Sequence, residues 1–158
     1  MKVRVVAVGG MKGPPAALAD EYARRARRYW SLDVEEVANG ARGKDPRGVL
    51  LAEGERLLAR VGARDRLVAL TREGDPLSSE DLATLLEESA LRSLPGVAFV
   101  IGGAFGLDAS VLERADRRLS LGGVTLPHEL ARVVLLEQLY RAGTIKRGEP
   151  YHKGGLEP

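Results

Sequence analysis

The feature that most constrains this chain is a regular alternation of short apolar, β-branched segments with longer segments of helix-forming residues. The first apolar segment, residues 3–8, closes on Gly9-Gly10 and is typical of a strand that ends in a turn. Further strands are predicted at residues 32–38, 66–70, 97–101 and 118–121. Because a helical segment separates each strand from the next, the pattern predicts an α/β fold: a mainly parallel sheet of about five or six strands with helices on both faces.

The helical segments differ in length and in the signals that start them. Pro14-Pro15 can begin the first helix, and Ser78 or Ser79 can cap the third. Helices are predicted at residues 16–29, around Leu50 to Leu58, and at residues 79–90, 109–115 and 127–145. No repeat, linker or low-complexity segment interrupts the pattern, so residues 1–158 are expected to form one domain.

The last predicted helix carries apolar residues around nearly its whole circumference. Its centre is the run Val133-Val134-Leu135-Leu136, and Leu130 and Leu139 extend it. One sheet face cannot bury such a helix, which must be covered on several sides. We therefore expect it to pack against a second copy of the chain, and a central position within one domain is the alternative.

The composition excludes several kinds of site. The chain has no cysteine, which removes disulfides, thiolate metal sites and cysteine nucleophiles. The only histidines, His128 and His152, have no carboxylates at a metal-ligand spacing, so no metal site is predicted. A G-x-S-x-G elbow is also missing. The first apolar segment is too short for a signal peptide or a membrane span, which favours a soluble, cytoplasmic protein with no membrane partner.

The charge is unevenly distributed along the chain. Basic and acidic groups number 10 and 6 in residues 1–50, 10 and 14 in residues 51–139, and 4 and 2 in residues 140–158. Basic ends suit contact with a polyanion. Arg24, Arg25 and Arg28 lie within little more than one helical turn, beside Tyr29 and Trp30. Such a face can contact phosphates and bases of RNA, and a solvated helix end is the alternative.

Three glycine-rich or otherwise distinctive loops follow predicted strands. They are residues 70–74, 101–106 and 121–128. Ligands of parallel sheets bind beyond the carboxyl ends of the strands, and glycines let the backbone approach a flat ligand. The loops match neither a phosphate loop nor a dinucleotide fingerprint. We therefore expect an adenosine-like ligand held in another way.

Several short motifs occur in an order and spacing that are specific only when taken together. They are Val5-Val6-Ala7-Val8-Gly9, Asn39-Gly40-Ala41-Arg42-Gly43-Lys44, Glu53-Gly54-Glu55, Ile101-Gly102-Gly103 with Gly106-Leu107, Thr125-Leu126-Pro127-His128, Arg132-Val133, Glu137-Gln138-Leu139-Tyr140-Arg141-Ala142 and Pro150-Tyr151-His152-Lys153. On these motifs, which span essentially the whole chain, the sequence resembles the bacterial 23S ribosomal RNA pseudouridine N3-methyltransferases of the knotted SPOUT-type superfamily. The resemblance implies a C-terminal trefoil knot, which topology rules alone would not suggest.

The resemblance also implies a reaction and its partners. S-adenosylmethionine would be the cofactor, N3 of a pseudouridine in 23S ribosomal RNA of the ribosome the target, and a homodimer with a composite active site the assembly. The cofactor would lie against Leu70, Gly102, Gly103, Leu121, Gly122, Gly123, Val124, Thr125 and Leu126. The alternatives are a related knotted transfer RNA methyltransferase and a non-catalytic RNA-binding protein of ribosome assembly, and cofactor binding separates the enzymes from the latter.

By the same resemblance, Tyr151 and His152 in the tail are the catalytic residues. A histidine of ordinary pKa can accept the N3 proton, and a tyrosine can stack on a base or orient it, but the division of roles stays open. Arg141 and Lys153 are further RNA-contact candidates, whereas His128 is expected to be structural. Family members tend to stop near the histidine, while this chain continues through residues 154–158.

Overall fold

Strands and helices alternate throughout the computed structural model, which describes residues 1–40 and 45–152. The elements are β1 (Lys2–Val8), α1 (Gly13–Ala26), β2 (Ser31–Val37), α2 (Pro46–Leu58), β3 (Arg66–Pro76), α3 (Ser79–Leu91), β4 (Gly96–Ile101), α4 (Ala109–Arg114), β5 (Arg117–Ser120), α5 (His128–Arg147) and a C-terminal 3-10 helix (Pro150–His152). The predicted strands and helices are confirmed, with ends that shift by a few residues. Lys153 and residues 154–158 lie outside the described residues, as do residues 41–44 of the polar loop before α2.

The five strands form one sheet in the order β2-β1-β4-β3-β5, and every neighbouring pair is parallel. The predicted parallel sheet is thus confirmed. The connection after β1 runs to β2 on one side, whereas the connection after β4 runs to β5 on the other. The carboxyl ends of β1 and β4 therefore flank a crevice of the kind where open α/β sheets bind ligands.

Helices cover both faces of the sheet, as predicted. One face carries α1, α3 and α5 over alternate residues of the strands, among them Val3, Val5 and Phe99. The other face, which includes Val6 and Val8, carries α2 and α4. Successive side chains of a strand point to opposite faces, so each buried strand supplies both cores. Among the described residues, no helix is long and apolar enough to cross a bilayer.

The long helix α5 is buried within its own chain, between the sheet, α1 and α3. Val133 is 6% exposed, and Leu135, Leu136 and Leu139 are at most 1% exposed. Trp30, at the end of the α1 segment, donates a hydrogen bond from Nε1 to the Leu139 carbonyl at 2.8 Å. The predicted alternative, a helix covered within one domain, thus holds for these residues, whereas Leu130 is 44% exposed and Val134 is partly exposed. The homodimer itself stays a prediction.

Strand β3 is longer than predicted because a loop interrupts it without ending it. Leu70 and Asp75 both pair with Leu119, so residues 71–74 bulge out of the pairing with β5. Gly74 makes the return possible: a Cβ there would lie 2.6 Å from the Leu119 carbonyl carbon. The predicted loop at residues 70–74 is therefore a bulge within a strand.

Helix α5 packs so closely on Tyr29 that Gly143 has no room for a side chain, since a Cβ would overlap the tyrosine ring. Alanine is the better helix former, yet we expect Gly143→Ala to lower the free energy of unfolding by about 1–3 kcal/mol through overpacking. Urea unfolding measures the change. Gly123→Ala is the control, because nothing lies within 4 Å of its Cβ position. An unchanged or more stable Gly143→Ala protein would contradict this packing.

Candidate functional site

A cavity of about 560 Å³ opens at the carboxyl edge of β3, β4 and β5. The three predicted loops form its wall. Of the residues expected to hold a cofactor, those that line it are Leu70, Gly102, Gly103, Leu121, Gly122, Val124, Thr125 and Leu126. Gly123 is not among the lining residues, although both of its chain neighbours are. The structure therefore brings together three segments that lie far apart in the sequence.

The loop after β4 folds back on itself and presents backbone to the cavity. Gly103 and Gly106 form an isolated bridge, and the Gly106 N–H donates to the Gly103 carbonyl at 3.1 Å. Gly102 cannot be replaced without moving this turn, because a Cβ would overlap the Gly106 backbone. Gly106 has a φ of +83°, which favours glycine. Phe105, at the tip of the turn, is 54% exposed.

The loop after β5 closes the other side of the cavity and leads into α5. Ser120 Oγ donates to the Gly122 carbonyl at 2.9 Å and accepts from the Gly122 N–H at 3.2 Å. These bonds turn the chain sharply away from the sheet. Pro127 precedes the first turn of α5, where His128 lines the cavity. His128, expected to be structural, thus lies at the candidate site.

A buried polar cluster lies beside this cavity, at the carboxyl ends of β1 and β2. Arg132, which is 3% exposed, donates to the Gly9 carbonyl and to a Glu36 carboxylate oxygen, both at 2.7 Å. Glu53 is 4% exposed and accepts from the Gly40 N–H at 3.0 Å. The sequence pattern did not indicate a role for Arg132 or Glu53. Both residues belong to short motifs that carry the family resemblance, and this was the one sign that they matter.

The C-terminal segment packs on α5 of its own chain. The Tyr151 hydroxyl donates to Glu137 Oε1 at 3.1 Å, and its ring lies 4.5 Å from the Tyr140 ring, centroid to centroid. Burial, followed by the hydrogen bond to Glu137, raises the pKa of Tyr151 to about 12. Tyr151 therefore keeps its proton at neutral pH. His152 belongs to the same 3-10 helix, and its side chain is outside the description.

Tyr151 does not reach the cavity of its own chain. On α5 the cavity ends at Ala131, whereas the tyrosine is bonded to Glu137. Six residues of helix correspond to about 9 Å along the axis and to about 240° around it. Tyr151 and the predicted cofactor loops are thus separated along and around α5 within one subunit.

Three of the predicted RNA-contact residues form ion pairs within their own helices. Arg24 and Arg25 both bond to Glu21. Arg28 is exposed, and Arg141 bonds to Glu137 at 2.7 Å. The four tyrosines of the chain lie in one cluster, and guanidinium groups lie over their rings. The cluster consists of Tyr22, Tyr29, Tyr140 and Tyr151 with Arg25, Arg141 and Arg147.

Within residues 1–40 and 45–152, no three histidine or acidic side chains are placed to hold a metal ion.

Comparison with known proteins places these features in context. The family model described as "Predicted SPOUT methyltransferase" matches residues 1–152. A relative from Rubrobacter xylanophilus is 51% identical over 96% of this chain and 98% of its own length, and one from Anaeromyxobacter dehalogenans is 49% identical over 97% and 100%. Both are named ribosomal RNA large subunit methyltransferase H. The crystal structure of a probable methyltransferase from Bordetella pertussis Tohama I aligns with a TM-score of 0.52 at 21% identity, over 89% of this chain and 95% of that one, and shows the fold alone.

The raised pKa of Tyr151 makes stability depend on alkaline pH. Its pKa is about 12 in the folded protein, against about 10 for an ordinary tyrosine. Because the folded state holds the phenol proton more tightly, the stabilisation is complete below about pH 10 and is lost as the pH rises towards about 12. Wild-type protein should therefore lose more unfolding free energy than Tyr151→Phe between about pH 9 and about pH 11, measured by urea unfolding. Equal losses would show that this hydroxyl is not bonded as described.

Proposed function

Because the chain belongs to the SPOUT methyltransferase family, we propose that it transfers a methyl group from S-adenosylmethionine to N3 of a pseudouridine in the 23S ribosomal RNA of the large subunit. Two relatives that share about half of its residues over nearly the whole chain carry the name of a large-subunit ribosomal RNA methyltransferase. The observation that carries the proposal is the cavity built from three loops at the carboxyl edge of the sheet. The enzyme acts as a single knotted domain in the cytoplasm.

The cavity suits an adenosine-containing sulfonium ligand. Its volume of about 560 Å³ is within the roughly 300–1,000 Å³ of small-molecule sites. Apolar side chains from all three loops, among them Leu70, Ile101 and Leu126, offer apolar surface to the adenine and ribose, and the glycines leave backbone N–H and C=O groups within reach of polar edges. The lining residues named above, together with Gly123 beside them, hold the cofactor. S-adenosylmethionine supplies a methyl group bonded to a positively charged sulfur.

The residues of the tail supply the proton chemistry. The target N3–H must lose its proton during the transfer, and the imidazole of His152 is the group of the tail that accepts it. Tyr151 does not act as the base, because its pKa of about 12 keeps it protonated. Tyr151 instead orients the base through its hydroxyl or stacks on it. This assigns the two roles that the sequence left open.

The active site is shared between the two subunits of a homodimer. In one chain Tyr151 is bonded to Glu137, about 9 Å along α5 from Ala131 at the cavity, which supports a tail that serves the cavity of the partner. Exposed apolar side chains line the cavity or follow it in the chain: Phe105 and Val124 line it and are 54% and 71% exposed, and Leu130, two residues after His128, is 44% exposed. A second subunit and the bound RNA would cover them. Arg24, Arg25, Arg28, Arg141 and Lys153 contact the RNA phosphates.

Filling the cavity should weaken cofactor binding strongly without unfolding the protein. Thr125 is exposed and lines the cavity; we expect Thr125→Trp to weaken S-adenosylmethionine binding at least about tenfold in calorimetry, since the indole occupies part of a pocket of this size. The same variant should fail to methylate ribosomal RNA, as read by mapping modified nucleotides. Thr84→Trp is the matched control, because Thr84 is exposed on α3 and does not line the cavity. Full affinity in Thr125→Trp would place the cofactor elsewhere.

A mixed dimer tests whether tails act across the interface. One chain lacks residues from Tyr151 onward, and the other carries Thr125→Trp. If each tail serves the partner's cavity, this dimer keeps one complete site and should retain about half of the wild-type rate of transfer, because one of its two composite sites is intact. Both parental homodimers should be inactive. An inactive mixture, with heterodimer formation confirmed by tagged chains, would rule out the shared site.

A further inference from the structure

Glu53 is a buried carboxylate that uses one of its oxygens within the described part of the chain. It lies on α2 and is 4% exposed. Its Oε2 accepts the Gly40 N–H at 3.0 Å, while Oε1 has no hydrogen-bond partner within residues 1–40 and 45–152. Among the described residues no lysine or arginine forms an ion pair with it, in contrast to Glu36, which pairs with Arg132. A carboxylate removed from water in this way is costly and calls for a compensating partner.

The carboxylate lies directly behind the wall of the cofactor cavity. Both of its oxygens are 3.3 Å from the position that a Cβ of Gly103 would occupy, and Gly103 lines the cavity. Val8, at the end of β1, lies on the same side, 3.1 Å from that position. Glu53 therefore fills the crevice between the carboxyl ends of β1 and β4, with a single glycine backbone between its charge and the cavity.

In this position the negative charge of Glu53 can stabilise a ligand that the carboxylate does not touch. Water does not surround Glu53, so its field is screened less than that of a surface carboxylate. Gly103 adds no side chain that could shield it. A positive charge in the adjacent cavity would be stabilised without touching the carboxylate.

We propose that Glu53 is the counter-charge for the sulfonium of the methyl donor and makes the site prefer the donor over the demethylated product. This inference rests on the proposed function, in which the cavity holds S-adenosylmethionine. The donor has a positively charged, methylated sulfur, whereas S-adenosylhomocysteine has a neutral thioether and lacks the methyl group. The methyl group contributes equally in wild-type protein and in a Glu53 variant, so the change of the affinity ratio between the two proteins reports the effect of Glu53 on the charge. Glu53 is a specificity-determining residue that acts through the loop of Gly103, and it favours release of product after each transfer.

The test compares three ligands by calorimetry in wild-type protein and in Glu53→Gln. The ligands are S-adenosylmethionine, S-adenosylhomocysteine, and an analogue in which a protonated amine replaces the methylated sulfur. Glutamine keeps the volume and an acceptor for the Gly40 N–H but removes the charge. We expect the two cationic ligands to weaken roughly tenfold relative to the thioether, as one unit charge at this range predicts. Glu55→Gln is the matched control, since Glu55 is exposed two residues along the same helix.

Equal weakening of all three ligands would overturn the proposal, because Glu53 would then only shape the loop. Unchanged affinities would overturn it as well. If thermal unfolding shows that Glu53→Gln does not fold, Glu53→Met supplies a neutral side chain of similar volume, and Glu53→Asp, which keeps the charge, should retain the wild-type ratio. Wild-type protein that binds none of the three ligands would overturn both the counter-charge and the proposed cofactor. Wild-type binding and RNA methylation with an unchanged ratio in the neutral variants would overturn the counter-charge alone.

Discussion

The parallel pairing of β4 with β1 on one side and β3 on the other determines where this protein can have a site. Every residue of β4 is buried, and the loop that follows the strand leaves the sheet at its carboxyl edge. Parallel pairing sends β3 and β5 to the same edge. Three loops from distant parts of the sequence therefore meet, and their glycines leave backbone as the wall of the cavity. Beside the cavity, Glu53 fills the crevice between the carboxyl ends of β1 and β4.

Helix α5 connects this cavity with the C-terminal segment. It begins beside the cavity at His128, passes between α1 and α3, and ends at Gly148, whose φ of +67° reverses the chain. Tyr151 then returns to the helix and bonds to Glu137. The same packing that buries the apolar centre of α5 thus separates the tail from the cavity of its own chain. A dimer resolves that separation in the proposed function.

Much of the candidate site could be predicted from the sequence, because glycine-rich loops after apolar strands are local signals and parallel sheets gather such loops at one edge. The three loops are predicted on that basis, the family resemblance assigns Leu70, Gly102 and Leu121 within them to the cofactor, and all three residues line the cavity. The burial of Glu53 and Arg132 could not be predicted, because the sequence places them in helices, where a charged residue normally faces water. Their burial depends on which strand ends lie beneath those helices.

The sequence by itself determined the alternation of strands and helices, the start of α1 at its prolines and the serine cap of α3, because each depends on residues within a few positions of one another. Only the tertiary structure decided the strand order, the bulge of residues 71–74 and the cover of α5. The apolar circumference of α5 required burial but carried no information about what would bury it. Whether a helix is covered by its own chain or by another depends on contacts between residues far apart in sequence, such as Trp30 with Leu139, and the pattern along one helix does not encode them.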